Sequence, residues 1–189
     1  MLRHPEAARA RRHAVPRWRL LPIALIIGLG GAGPSCVTTT DDEEPKTVVA
    51  QVFRGFDFVA IDGAHFSTQT TLGRVTVIVF ITTYDLVSQI VVRRLAELER
   101  ARSPRINVGA VVLEPPRNQP LVEAFAATLE LPFPIALADQ ATLEARGSFG
   151  KVDVVPTVVV LNRKGVEVWR KEAAPAPHEL ESVLDDAAR

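Results

Sequence analysis

The chain has 189 residues, 47% of them apolar, and its 22 basic residues balance 22 acidic ones. That composition suggests one globular domain of ordinary make-up plus an additional segment. Cys36 is the only cysteine, so chemistry that needs a pair of thiols within one chain is excluded.

The additional segment is amino-terminal. Arg3, Arg9, Arg11, Arg12, Arg17 and Arg19 stand against Glu6 alone, and residues 20–29 are apolar except for Pro22 and Gly28. These are the charged and hydrophobic regions of an export signal. Gly33, Pro34 and Ser35 precede Cys36, and the arrangement resembles a bacterial lipoprotein signal, with Gly33 where such signals usually carry Leu. The resemblance implies a signal over residues 1–35 and a mature chain that begins at a lipidated Cys36. The alternative is an uncleaved anchor, but the run is shorter than the roughly 20 apolar residues a bilayer span needs. One acyl chain anchors weakly, so stable attachment would use the several chains of bacterial lipoproteins. Val37, where Asp would signal inner-membrane retention, favours the outer membrane. Loss of six arginines and one glutamate leaves a mildly acidic domain, which argues against nucleic acid as partner.

Residues 37–47 are polar and acidic without periodicity and read as a flexible tether; the domain spans 48–189. Apolar alternation on both sides of Asp62-Gly63 predicts a β-hairpin, with His65 as a surface strand residue. The continuous β-branched run at 75–81 predicts a strand buried on both faces. Thr82, Thr83 and Tyr84 turn the chain, and Asp85 is placed to cap a helix over 86–98, whose apolar positions are Leu86, Ile90, Val91 and Leu95. Ser88, at the third helical position, can share that cap.

Beyond Ser103-Pro104, residues 106–113 predict a strand, 114–118 a loop, 121–129 a helix and 135–138 a short strand. Asp139 caps a helical turn reaching Arg146 and ended by Gly147. Residues 158–161 form a strand, 166–170 an antiparallel edge strand with Trp169 covering the core, and 178–188 the last helix. Arg93, Arg94 and the arginines from 100 to 105 read as a solvated face.

This order, with the stretches FDFVAIDGAHFSTQTTLGRVTVIVF and LPFPIALADQATLEARGSFGKVDVVPTVVVLNRKGVEVWR, resembles the thioredoxin-like TlpA and redoxin group, relatives of peroxiredoxins and thiol-disulfide oxidoreductases. The resemblance covers residues 52–188. It implies a three-layer α/β/α fold around a central mixed sheet, with an N-terminal β-hairpin. It also puts Val155-Pro156-Thr157 at the family's cis-proline loop, where backbone beside the proline can pair with an extended substrate.

The family's Trp-Cys-x-x-Cys aligns with Tyr84-Asp85-Leu86-Val87-Ser88, so both redox cysteines are replaced, and neither carboxylate nor hydroxyl can do a thiolate's work. No catalytic residue is therefore expected, and Asp85 and Ser88 read as a former site turned into a helix cap. Copper-binding relatives use two Cys and a His. Here His4 and His13 lie in the leader, His65 in the hairpin and His178 before the last helix, so no metal and no cofactor is expected.

The expectation is a lipid-anchored, periplasm-facing domain of the bacterial envelope that binds a protein or peptide through Tyr84, Asp85, Val155 and Pro156. The alternatives are an oxidoreductase or antioxidant protein working only with thiols from a partner, and a structural lipoprotein without a ligand.

Overall fold

The computed structural model describes residues 52–189; the expected signal, the lipidation site Cys36 and the tether lie outside the described residues. In chain order the elements are β1 (Val52–Phe53), β2 (Asp57–Val59), β3 (His65–Ser67), α1 (Thr68–Thr71), β4 (Val75–Ile81), α2 (Leu86–Arg102) and β5 (Ile106–Val112). There follow α3 (Gln119–Thr128), β6 (Ile135–Leu137), α4 (Gln140–Leu143), β7 (Thr157–Leu161), β8 (Val166–Lys171) and α5 (Pro177–Ala187). No helix among the described residues is long and apolar enough to cross a membrane.

All seven residues of β4 are buried, as its unbroken apolar run requires. It lies at the centre of a mixed sheet ordered β1-β8-β7-β4-β5-β6, parallel to β5 and antiparallel to β7. Alternation along β4 divides the core. Val75, Val77, Val79 and Ile81 pack with α2, α3 and α5, through side chains such as Val91, Leu95, Val122 and Leu184. Ile78 and Phe80 face the opposite way, into a cluster with Phe56, Phe58, Phe66 and Phe149.

The α/β/α layering holds with unequal outer layers: helices α2, α3 and α5 on one face, and on the other the β2–β3 hairpin with the segment from Ala138 to Phe149 that contains the short α4. The hairpin sits close to the sheet because β5 carries Gly109, where a Cβ would come within 2.3 Å of the Phe66 ring. The Phe56 ring centroid lies 5.3 Å from that of Phe66 and 5.6 Å from that of Phe149, separations typical of tilted aromatic contacts.

Three expectations are corrected. β8 is not the sheet edge, because β1 pairs along it. Glu167, at 3% exposure, points inward from β8 and is matched by Arg54 Nε and Arg170 Nε, each at 2.7 Å. The helical turn after Asp139 ends at Leu143 rather than Arg146, since Ala145 takes a left-handed conformation (φ 60°). Finally, the buried stripe of α2 is Ser88, Val91, Val92, Leu95 and Ala96, an i, i+3, i+4, i+7, i+8 series that leaves Leu86 and Ile90 outside it.

Candidate functional site

β4 ends at Ile81 and the chain turns through Thr82, Thr83 and Tyr84 into α2. Asp85 is the N-cap: its Oδ2 accepts from the Ser88 backbone N–H and from the Ser88 hydroxyl, both at 2.7 Å. A carboxylate suits the positive end of the helix dipole. The Ser88 hydroxyl holds the Asp85 carboxyl below its ordinary value against the opposing effect of burial, and the N–H groups of Ser88 and Val87 add to the lowering. Ser88 is fully buried and Asp85 partly so, and each largely satisfies the other.

A second carboxylate, which the sequence reading placed only in a loop, braces the turn from below. Glu114, 2% exposed, accepts from the Thr83 N–H at 2.6 Å and the Thr83 hydroxyl at 2.7 Å through Oε1, and from Asn118 Nδ2 at 2.7 Å through Oε2. Burial pushes its carboxyl upward, but the bonds from the Thr83 N–H, Asn118 and the Thr83 hydroxyl outweigh it, and the group stays ionised below the usual glutamate range. Gln89 Nε2 donates to the Thr83 carbonyl at 3.1 Å and ties the turn to α2. Thr82 is also buried, and its hydroxyl is the one buried side-chain polar atom among the described residues without a hydrogen-bond partner.

The register of β4 with β7, Phe80 opposite Thr157, puts Pro156 beside the end of β4 and the start of this turn. The Val155–Pro156 peptide bond is cis, and the Thr157 hydroxyl donates to the Val154 carbonyl at 2.6 Å to close the loop. Pro156 is buried and Val155 half-buried, so Val154, 42% exposed, and Val155 are what this loop offers to solvent.

Tyr84, Leu86, Val87 and Ile90 stand around the helix entry at 76%, 72%, 44% and 49% exposure. Of the residues expected to bind, Tyr84 and Asp85 lie in this turn, with Val155 and Pro156 in the neighbouring loop. Leu86, Val87, Ile90 and Val154 on the surface, and Glu114 beneath, were not singled out as site residues. Their signal was the register of the α2 stripe, which becomes visible once Ser88 is counted as an inward position.

Chemically, this turn holds no thiol and no imidazole. His65 pairs with Asp57 on the exposed hairpin (Nδ1 to Oδ1, 2.8 Å), and His178 is exposed at the start of α5. Among the described residues no three His, Cys, Asp or Glu side chains are grouped as a metal site.

No protein-family model matches the chain, and no curated protein matches it either. Solved structures do. A thiol:disulfide interchange protein of the thioredoxin family from Chlorobium tepidum TLS is similar at TM-score 0.64 and 15% identity, over 73% of this chain and 97% of that one. A secreted Mycobacterium tuberculosis disulfide oxidoreductase matches at TM-score 0.58 and 18% identity, over 70% and 96%. StoA from Bacillus subtilis matches at TM-score 0.56 and 23% identity, over 70% and 98%. With its central mixed sheet, its helix-entry turn and its cis-proline loop at one end of β4, the chain has the thioredoxin-like fold.

Proposed function

We propose that this chain is a binding module of the bacterial cell envelope, lipid-anchored through Cys36 and facing the periplasm. In this reading it has lost the redox centre of the proteins whose fold it shares, and it holds a protein or peptide partner against the rim formed by Tyr84, Leu86, Val87, Ile90 and the Val154–Val155 loop. One observation carries the reading: large apolar side chains surround a turn whose carboxylates are already occupied by Ser88, Thr83 and Asn118. Apolar groups clustered on a surface are stabilised by a partner that covers them, whereas a satisfied, thiol-free turn has little left for chemistry. The envelope location is supported by the leader and by the description of one structural neighbour as secreted.

The enzyme reading, in which a partner supplies the thiols, draws on the names of the structural neighbours, which are a disulfide oxidoreductase and a thiol:disulfide interchange protein. Cross-linking of the Cys36→Ser chain in envelope extracts, with and without Leu86→Asp/Ile90→Asp, tests the binding reading. The binding module predicts a discrete partner lost from the double variant. An unchanged capture pattern contradicts it and leaves the structural lipoprotein.

A further inference from the structure

At the other end of the sheet from the cis-proline loop, three turns meet. Gly73 and Arg74 lead into β4, Arg105 leads into β5, and Arg163 lies in the turn between β7 and β8. Two bonds fix the turns to one another: the Gly73 N–H donates to the Arg163 carbonyl at 2.9 Å and Arg74 Nη1 donates to the Pro104 carbonyl at 3.3 Å; within its own turn, the Arg105 N–H donates to the Arg102 carbonyl at 2.7 Å. The Asn162 side chain accepts from the Lys164 and Val166 N–H groups and sets the third turn.

Between them opens a cleft of about 740 Å³, within the size range of small-molecule sites. Arg74, Arg102, Arg105 and Arg163 line it, with Asp185 as its sole carboxylate. Asp185 is engaged by Arg102 Nη1 at 2.8 Å. Arg74, Arg105 and Arg163 are exposed, and among the described residues none has a carboxylate within 4.0 Å. Three like charges held around one concavity repel each other, and a multiply charged anion relieves that repulsion. Guanidinium groups approaching from separate turns suit a tetrahedral group with several acceptor oxygens, to which each can donate two N–H bonds. Val75, Ile106 and Leu184 supply apolar walls that reduce solvent screening.

We propose that this cleft is a binding site for a phosphate-bearing anion, carried either on a small soluble molecule or on an anionic lipid headgroup. The site is separate from the Tyr84 rim and does not depend on what the rim binds.

The test uses the full-length Cys36→Ser chain, which carries no acyl anchor, in non-ionic detergent, titrated with inorganic pyrophosphate by calorimetry, beside flotation with phosphatidylglycerol or phosphatidylcholine vesicles. Saturable pyrophosphate binding, weakened at least tenfold by Arg105→Glu/Arg163→Glu, supports a soluble phosphate ligand. Binding confined to phosphatidylglycerol vesicles, and lost in the same variant, supports the lipid headgroup. The proposal is overturned if neither probe binds saturably, or if the double variant, shown folded by circular dichroism, binds as wild type does. Arg74→Glu provides an independent check, since it belongs to a different turn and is expected to weaken the same binding.

Discussion

The floor and the rim of the helix-entry turn are built from opposite materials. On the floor, Glu114 accepts three hydrogen bonds and Asp85 accepts two, all from groups of the same chain. On the rim, Tyr84 and Leu86 are about three-quarters exposed and pack into neither core cluster. A closed polar floor fixes the backbone and has both of its carboxylates engaged. An open apolar rim has surface to lose to a partner. The difference teaches that rigidity and binding capacity are assigned to different residues here, so they can be removed separately.

Glu114→Ala attacks the floor and is expected to have the largest effect. It leaves the Thr83 N–H, the Thr83 hydroxyl and Asn118 without their acceptor, a loss of about 3 kcal/mol in urea unfolding. Because hydrogen bonds lower the Glu114 carboxyl in the folded chain, its contribution is complete above the ordinary glutamate pKa of about 4.3 and fades as pH falls through the lower folded value. Glu114→Gln should therefore flatten the acid limb of the stability profile. An unchanged limb would show that Glu114 is not the brace.

Leu86→Asp/Ile90→Asp attacks the rim alone. Partner affinity is expected to fall at least tenfold, or about 1.4 kcal/mol. Unfolding stability should stay within about 0.5 kcal/mol of wild type, because both side chains lie outside the buried stripe. Asp85→Ala removes the helix cap and should cost about 1 kcal/mol in thermal or urea unfolding, measured above pH 5. Thr82→Val should act in the opposite direction and raise stability by up to about 1 kcal/mol, since it replaces a buried hydroxyl that has no partner with a methyl of similar size.

The framework was legible where one physical signal dominates. The run at 75–81 pointed to a buried strand and Asp85 to the start of α2, while the cis bond at Val155-Pro156 was implied by the family resemblance of the flanking residues. The site was legible only in part. Leu86 and Ile90 looked inward because they are apolar, yet the stripe follows a small polar residue, Ser88, whose hydroxyl is satisfied by Asp85. Glu114 and Glu167 could not be found from local pattern. Each is a charged residue whose burial depends on partners 31 and 113 positions away in the chain, and no local periodicity records such pairings. β1 and α1 were missed because two and four residues are too short to show a period.

The measurement that tests the central claim most directly is insulin reduction with dithiothreitol as electron donor, comparing the Cys36→Ser chain with its Asp85→Cys/Ser88→Cys derivative. The side chains at 85 and 88 already touch, with Oδ2 and Oγ 2.7 Å apart at a helix N-terminus, so thiols placed there are within reach of a disulfide and favoured as thiolates. The account predicts no catalysis above the dithiothreitol background from Cys36→Ser, and reduction once the two cysteines are supplied. Catalysis by the Cys36→Ser chain itself would contradict it.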